Sequence, residues 1–298
     1  MTASPSPGVF PPVLCYHRIG GSLELGVTRV SRSVFERQMT ALAKAGWRTL
    51  TLSAFAGRVQ RSVAPSDNEF LLTFDDGYAS LAESAYPVLA SLGFTATTFL
   101  VTDYVGGTNT WDARYTWRRL DHLDWDAVER WRGWGGGGGG FDFGSHTATH
   151  ARLTWLDDAR AADELARSRA TLVARLGETA GRAVAYPFGA ADERVERLAH
   201  AAGYELGFGG VRDGGTAMRL PRVPVYMWDV GRVPFGLQRD AVGAVGRLVA
   251  HVANRCAVGT SWMLRLRKAL PAPFTIRRPR SPQRPSHDSP YPRRSSPR

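Results

Sequence analysis

In the segment Leu71-Leu72-Thr73-Phe74-Asp75-Asp76-Gly77-Tyr78, an apolar run stops abruptly at two acids, a glycine and a tyrosine. Residues 69–74 are rich in β-formers and short enough for one buried strand, so the two acids fall where that strand ends. In an α/β protein, the carboxyl ends of the strands carry the chemistry. The stretch therefore predicts an α/β fold with a site at Asp75 and Asp76.

Two neighbouring carboxylates at a strand end repel each other, and a divalent cation is the usual remedy when they are buried. Farther along the chain, His146 and His150 are spaced i and i+4, so a single turn or tight loop can aim both imidazoles at one point. One carboxylate and two histidines leave open coordination positions for water or substrate. Each motif alone is ambiguous, because Asp-Asp-Gly also occurs in solvated turns and His-x-x-x-His on surface helices.

Three motifs in order make the pattern specific. Thr73-Phe74-Asp75-Asp76-Gly77 precedes Ser145-His146-Thr147-x-x-His150, which precedes Ala185-Tyr186-Pro187-Phe188-Gly189. Together they resemble the polysaccharide deacetylases, the NodB-like domain of carbohydrate esterase family 4. Val13-Leu14-Cys15-Tyr16-His17 is similar to the first motif of the branch whose motifs are circularly permuted. The resemblance implies a distorted (β/α)7-type barrel and a metal-dependent hydrolase that removes an N-acetyl group from a sugar or glycan.

The resemblance also assigns roles to the acids and the histidines. Asp76, His146 and His150 would hold the metal; their donor set favours zinc, with cobalt or another first-row ion able to substitute. Asp75 would be the general base that activates the attacking water.

The remaining roles concern the oxyanion and the leaving group. The backbone N–H of Phe188 would face the oxyanion, and His17 would donate a proton to the sugar nitrogen. Asp229 is the candidate carboxylate that keeps the pKa of His17 high enough. Many family members place an arginine where this chain has Ala185, and Arg222 is the candidate that replaces it in orienting the base.

Strand and helix patterns alternate about seven times, which predicts a mostly parallel sheet or barrel. Predicted strands include 13–17, 47–52, 69–74, 94–101, 183–186 and 220–226; predicted helices include one capped at Ser33 and ended by Gly46, then 83–92, 157–176, 192–203 and 240–252.

Between the strand predicted at 94–101 and the histidine motif, residues 102–140 hold five tryptophans and a run of six glycines. We expect this segment to lie on the same face as the site, where Trp111 stacks on a sugar ring, although packing is the commoner role of any one tryptophan. Tyr78 and Pro187 are further candidate substrate contacts. His122 is interpreted as structural or solvated within a predicted helix.

The net charge of +11 is concentrated at one end of the 298-residue chain. Residues 259–298 carry +9, and residues 1–258 only +2. This distribution argues against a nucleic-acid-binding face on the folded part. It predicts a barrel domain over 1–258 and a disordered Arg/Pro/Ser-rich tail over 259–298.

The first twelve residues contain no Lys or Arg, and the chain has no apolar window long enough to span a membrane, so a cytoplasmic enzyme is expected. Residues 261–270 have the pattern of a short basic amphipathic helix, so peripheral binding of the tail to an anionic membrane is one hypothesis, and a tail without a partner is the other. Two alternatives remain for the function: a metal amidohydrolase of a small non-sugar amide, and a sugar-binding pseudoenzyme.

Overall fold

A computed structural model of the chain describes residues 10–21, 28–61, 68–110, 120–134, 140–211, 216–234 and 237. These residues form ten strands and seven α-helices, and from β4 to β9 each strand is followed by at least one helix before the next strand. The strands are β1 (Val13–Tyr16), β2 (Arg18–Ile19), β3 (Arg29–Val30), β4 (Arg48–Thr49), β5 (Glu69–Phe74), β6 (Thr97–Leu100), β7 (Asp142–Ser145), β8 (Ala183–Ala185), β9 (Leu206–Phe208) and β10 (Val223–Pro224). The helices are α1 (Arg32–Lys44), α2 (Leu52–Arg61), α3 (Ser80–Ser84), α4 (Tyr86–Ser91), α5 (Trp125–Arg132), α6 (Asp158–Leu176) and α7 (Glu193–Ala201).

The main sheet is parallel and curls on itself. Its strand order is β10-β1-β5-β6-β7-β8-β9, with β4 beside β5. The segment before β10 joins the two edges: Leu220 exchanges backbone hydrogen bonds with Gly207 and Gly209 beside β9, and β10 then pairs with β1. The predicted distorted barrel of strand–helix units is confirmed.

Alternation along the strands separates an inner from an outer core. The inward residues Val13, Leu71 and Phe99 belong to one apolar cluster, and α2 contributes Phe55 to the same cluster. Helix α2 caps the amino end of the barrel, where the N–H of Leu52 donates to the carboxylate of Asp142. The opposite, carboxyl end is left for polar side chains.

The outward-facing residues of the same strands pack against the surrounding helices. Tyr16 lies edge-on to Phe35 of α1, and Phe74 of β5 lies edge-on to Tyr86 of α4. Fully burying each such ring contributes about 1.5–3 kcal/mol. The strands are apolar on both faces because both are covered, which is typical of parallel sheets.

Several predicted boundaries were wrong. Helix α1 is capped by Ser31, whose Oγ accepts the N–H of Val34, so Ser33 lies in the first turn rather than at the cap. The strand predicted at 47–52 covers only β4, because Leu52 begins α2, a helix that the prediction lacked. The helix predicted at 83–92 is two helices, α3 and α4, with Pro87 in the first turn of the second.

Two predicted strands are shorter in the structure. The strand predicted at 94–101 contracts to β6, and the one predicted at 220–226 contracts to β10, with Leu220 in a separate bridge to Phe208. The helix predicted at 240–252 and the tail at 259–298 lie outside the described residues.

The tryptophan-rich segment does not stay on the site face, which corrects the prediction for its second half. Helix α5 runs back to the amino end of the barrel, where the carbonyl of Trp131 accepts the N–H of Phe141 just before β7. Trp131 packs on Tyr86 and Trp134. The physical reason is the crossover itself, because a chain that leaves one parallel strand must return to the amino end before the next begins.

No helix among the described residues is both long enough and apolar enough to cross a membrane.

Candidate active site

The predicted site residues of β1, β5, β7 and β8 converge at the carboxyl end of the barrel because these strands are neighbours in register. Cys15 pairs with Thr73 and Tyr16 with Phe74, so His17 and Asp75 come one residue beyond the last pair. A nitrogen of His17, a carboxylate oxygen of Asp75 and the Sγ of Cys15 lie within 4.8 Å of one another.

Asp76 faces the two histidines of the second motif. Its Oδ1 lies 3.3 Å from Nε2 of His150 and 3.5 Å from Nε2 of His146. Asp76 is buried, and burial would raise its pKa, but contact with His150 and the charges of the neighbouring imidazoles hold that pKa well below its usual range. The carboxylate is therefore ionised.

His146 presents an unprotonated nitrogen to Asp76. Its Nδ1 lies 2.7 Å from the carbonyl oxygen of Ala185, which can only accept, so Nδ1 carries the proton. Burial lowers the pKa of His146 to about 4, which keeps the ring neutral. Nε2 of His146 and Oδ1 of Asp76 are thus two electron-pair donors that face each other without a proton between them.

Oδ1 of Asp76 and the Nε2 atoms of His146 and His150 together fit a divalent cation. Zinc bonds to N and O ligands of about 2.0–2.1 Å place tetrahedral ligands about 3.3–3.4 Å apart, close to the 3.3 Å and 3.5 Å separations of Asp76 Oδ1 from the two histidine nitrogens. Oδ1 of Asp76 is buried and receives no well-directed hydrogen bond from the described residues. Two buried donors of this kind gain a partner when a cation binds between them.

Asp75, although adjacent in sequence, has a different partner. Both of its carboxylate oxygens accept from Arg222, Nη1 to Oδ1 at 2.6 Å and Nη2 to Oδ2 at 2.7 Å, and both side chains are buried. Burial would raise the pKa of Asp75, but the Arg222 guanidinium and the nearby imidazoles outweigh it and lower that pKa to about 2. Because a guanidinium already neutralises Asp75, the set of Cys15, His17 and Asp75 is a poorer cation site than the set around Asp76.

Left-handed backbone marks the same region. Among the described residues, the non-glycine positions with positive φ are Asn68, Asp76, Thr147, His150 and Phe188. Four of the five belong to the three motifs. Such conformations cost about 1–3 kcal/mol each and persist where surrounding contacts over-determine them.

The contacts that hold His150 are visible in the structure. Its N–H donates to Oγ1 of Thr147 at 3.1 Å. The preceding residue, Thr149, donates its N–H and its hydroxyl to the two oxygens of Glu164 at 2.9 and 2.5 Å. Glu164 is a buried residue of α6, so that helix fixes the histidine loop through one carboxylate.

The turn at Asp76 is held from the other side. Nδ1 of His122 lies 2.8 Å from the carbonyl of Asp76, so this buried histidine donates to the backbone of a predicted ligand. Next in the turn, Gly77 has φ of +72°, and a Cβ there would lie 2.6 Å from Cδ2 of Leu100. His122 is structural, as predicted, but it lies in an isolated bridge to Tyr78 rather than in a helix.

No hydrogen bond joins Nδ1 of His17 to Asp229, its predicted partner. Nδ1 of His17 is buried and has no hydrogen-bond partner among the described residues. Asp229 is buried as well, and its carbonyl accepts Nε2 of Gln38 at 2.7 Å, while Oε1 of Gln38 accepts the hydroxyl of Tyr16 at 2.9 Å. The pairing of Asp229 with His17 stays a prediction.

The third motif forms the wall beside His150. Pro187 is buried, and Phe188 lies with its ring 4.9 Å from that of His150. The N–H of Phe188 donates to no acceptor in the part of the chain that the structure describes. An unengaged N–H beside His150 is what an oxyanion donor requires.

The other candidate substrate contacts differ in position. Tyr78 is buried, lies 5.1 Å from the ring of His122 and accepts a hydrogen bond from Asn109, so it supports the Asp76 turn. Trp111 lies outside the described residues.

Sequence reasoning missed the supporting contacts of Glu164 and gave no such role to His122. Glu164 lies on the apolar face of α6 with Ala161 and Leu165, and an acid in an apolar helical row is a weak sequence signal that was available. No pattern in the sequence links His122 to Asp76, because their contact depends on the long connection between β6 and β7 folding back over the turn.

Comparisons with known proteins agree with this geometry. The model of the polysaccharide deacetylase family matches residues 62–207. A relative from Bacillus subtilis (strain 168), named "Putative polysaccharide deacetylase YxkH", is 28% identical over 233 residues, which are 78% of this chain and 75% of that protein.

Solved structures show the same fold. The Streptococcus pyogenes deacetylase PplD, in complex with acetate, matches with a TM-score of 0.63 and 20% identity, covering 74% of this chain and 93% of that one. IcaB from Ammonifex degensii matches with a TM-score of 0.59 and 24% identity, covering 81% and 97%. The family match, the curated relative and the motif order together support a NodB-like polysaccharide deacetylase, and the solved structures show that the fold is the same.

Proposed function

We propose that this protein is a metal-dependent deacetylase that hydrolyses the N-acetyl group of an N-acetylated sugar or glycan. The observation that carries the proposal is the division of labour between two adjacent acids. Asp76 faces two histidine nitrogens at 3.3 and 3.5 Å, whereas Asp75 is held by Arg222.

Asp76, His146 and His150 would hold the cation, with zinc favoured by the two nitrogens and one oxygen. When bound, a divalent cation would polarise the acetyl carbonyl and acidify a water molecule. The Nδ1–H of His146 on Ala185 keeps Nε2 available as a ligand.

Asp75 is proposed as the base. The pair with Arg222 keeps it ionised and fixes its carboxylate, so it can accept a proton as the water oxygen adds to the acetyl carbon. Arg222 would thus supply the orienting guanidinium that the motif lacks at Ala185. General base assistance of this kind is typically worth roughly 100- to 10,000-fold in rate.

The oxyanion and the leaving amine complete the reaction. The N–H of Phe188 would donate to the carbonyl oxygen as it gains negative charge. His17, within 4.8 Å of an oxygen of Asp75, would donate a proton to the nitrogen as the C–N bond breaks. The products are acetate and a free amino sugar.

The test is acetate release from a panel of N-acetylated monosaccharides, oligosaccharides and glycolipids, with and without added zinc after chelation. We expect release from at least one sugar, lost on chelation and restored by the metal. Release that persists after exhaustive chelation would refute metal dependence, and release only from small non-sugar amides would refute the substrate class.

A further inference from the structure

One charged side chain beside the site has no hydrogen-bond acceptor for two of its nitrogens. Arg152 follows the proposed ligand His150 by two residues, and its Nε and Nη1 are buried with no hydrogen-bond partner among the described residues. The other site arginine, Arg222, has both its terminal nitrogens on Asp75. Among the described residues, no carboxylate forms an ion pair with Arg152, so nothing there neutralises its charge.

Two aromatic rings hold the guanidinium in place. Its Cζ lies 4.9 Å from the ring centroid of Trp155 and 5.8 Å from that of Phe188. Both distances are within the range of cation–π attraction. Rings contact the faces of a guanidinium and leave its edge, with its N–H donors, for an in-plane acceptor.

Arg152 lies next to a residue proposed to act in the reaction. The ring of Phe188 contacts both residues, since its centroid lies 5.8 Å from Cζ of Arg152 and 4.9 Å from the centroid of the His150 imidazole. The N–H of the same Phe188 is the proposed oxyanion donor. A sugar whose acetamide reaches that N–H would carry its other substituents, or those of the next sugar, past Arg152.

We propose that Arg152 is a specificity-determining residue that binds an anionic substituent, a carboxylate or a phosphate, on the acetylated sugar. This inference rests on the proposed function. A guanidinium with two buried N–H groups and no acceptor among the described residues is unfavourable, and an oxyanion in its plane would form charge-assisted hydrogen bonds. The substrate class is therefore an acidic acetamido sugar rather than a neutral one.

The experiment compares three oligosaccharides of one length on the zinc-loaded full chain: a neutral one, one with a carboxylate and one with a phosphate. The variants are Arg152→Gln and Arg152→Lys. Arg160→Gln is the matched control, because it removes the same charge from an exposed side chain nearby, which in the described part of the chain forms an ion pair with Asp157.

We expect the wild type to favour at least one anionic substrate about 10-fold or more in kcat/KM, mainly through KM. Arg152→Gln should lower kcat/KM on that anionic substrate to about the value for the neutral one, Arg152→Lys should retain part of the preference, and Arg160→Gln should retain all of it. The anionic substrate whose kcat/KM falls more in Arg152→Gln carries the recognised group, carboxylate or phosphate. Equal rates on all substrates in the wild type, or an equal loss on all of them in Arg152→Gln, would overturn the inference.

A second measurement separates this inference from the proposed function. Calorimetric titration with the corresponding free-amine sugars measures binding without turnover. If binding of the acidic sugar depends on Arg152 but no acetate is released from any sugar, the proposed function is refuted and the anion site is supported. If acetate is released without any preference for an anionic sugar, the function is supported and the anion site is refuted.

Discussion

Arg222 binds both carboxylate oxygens of Asp75 from a position 147 residues away in the sequence. Arg222 belongs to the segment that closes the barrel between β9 and β1, and its N–H donates to the carbonyl of Gly210. Closure of the barrel and orientation of the proposed base therefore depend on the same few residues.

Loss of this guanidinium should destabilise the protein. Arg222→Met leaves Asp75 as a buried, uncompensated charge, and we expect a loss of about 3–5 kcal/mol in the free energy of unfolding. Urea denaturation measures it. Arg182→Met, which breaks a more exposed pair with Glu205, is the control and should cost less than about 1 kcal/mol. The double variant Asp75→Asn, Arg222→Met should recover part of the loss in the free energy of unfolding. If the losses of the two single variants simply add in the double variant, the pairing is contradicted.

The two adjacent acids should separate metal binding from turnover. Asp76→Asn is expected to lose both bound metal and activity, because the Oδ1 that faces the two histidines becomes part of a neutral amide. Asp75→Asn should keep the metal and lose turnover by roughly 100-fold or more. Metal content is measured on dialysed protein by mass spectrometry. Equal metal content in wild type and Asp76→Asn would reverse the assignment.

His17 should act on the leaving group. His17→Ala is expected to keep the metal and lower kcat on an N-acetyl sugar by roughly 100-fold or more. On an activated acetyl ester the loss should shrink, because that leaving group departs without a proton. Parallel assays on amide and ester measure the difference, and equal losses would indicate a structural role instead.

Glu164 should act through the histidine loop. Glu164→Ala removes both acceptors of Thr149, next to the left-handed His150, and we expect a fall in metal affinity of roughly 10- to 100-fold. Competition with a chromogenic chelator measures this affinity. Asp163→Ala, an exposed neighbour on the same helix, should leave it unchanged, and Glu164→Gln should restore part of it. Unchanged affinity in Glu164→Ala would show that α6 does not position the ligand.

The basic tail offers a separate test. If residues 259–298 bind an anionic membrane, the full chain should sediment with vesicles rich in acidic lipid, and binding should fall steeply with salt. A chain ending at residue 258 should stay in the supernatant. Equal partition of both chains at low salt would leave the tail without this role.

Much of the site could be predicted from local pattern because strand alternation and strand ends are local properties. Residues 69–74 had to be a buried strand, so Asp75 and Asp76 had to lie at its carboxyl end. The parallel arrangement then brings the motif after β1 and the motif after β7 to the same end. Element boundaries failed where capping choices were close, as between Ser31 and Ser33, because either serine can accept the N–H of the first turn.

Local sequence pattern specifies which residue types stand at the carboxyl ends of the strands, and hence the candidate ligands, base and acid. Which acid meets which partner depends on how the barrel closes. The left-handed turn at Asp76 directs its carboxylate to the histidines, whereas Asp75, one residue beyond the end of β5, meets Arg222. Glu164, His122 and Arg152 acquire their places by packing between distant segments. Such contacts depend on the closed barrel, so local pattern offers only a weak signal for Glu164 and none for His122 or Arg152.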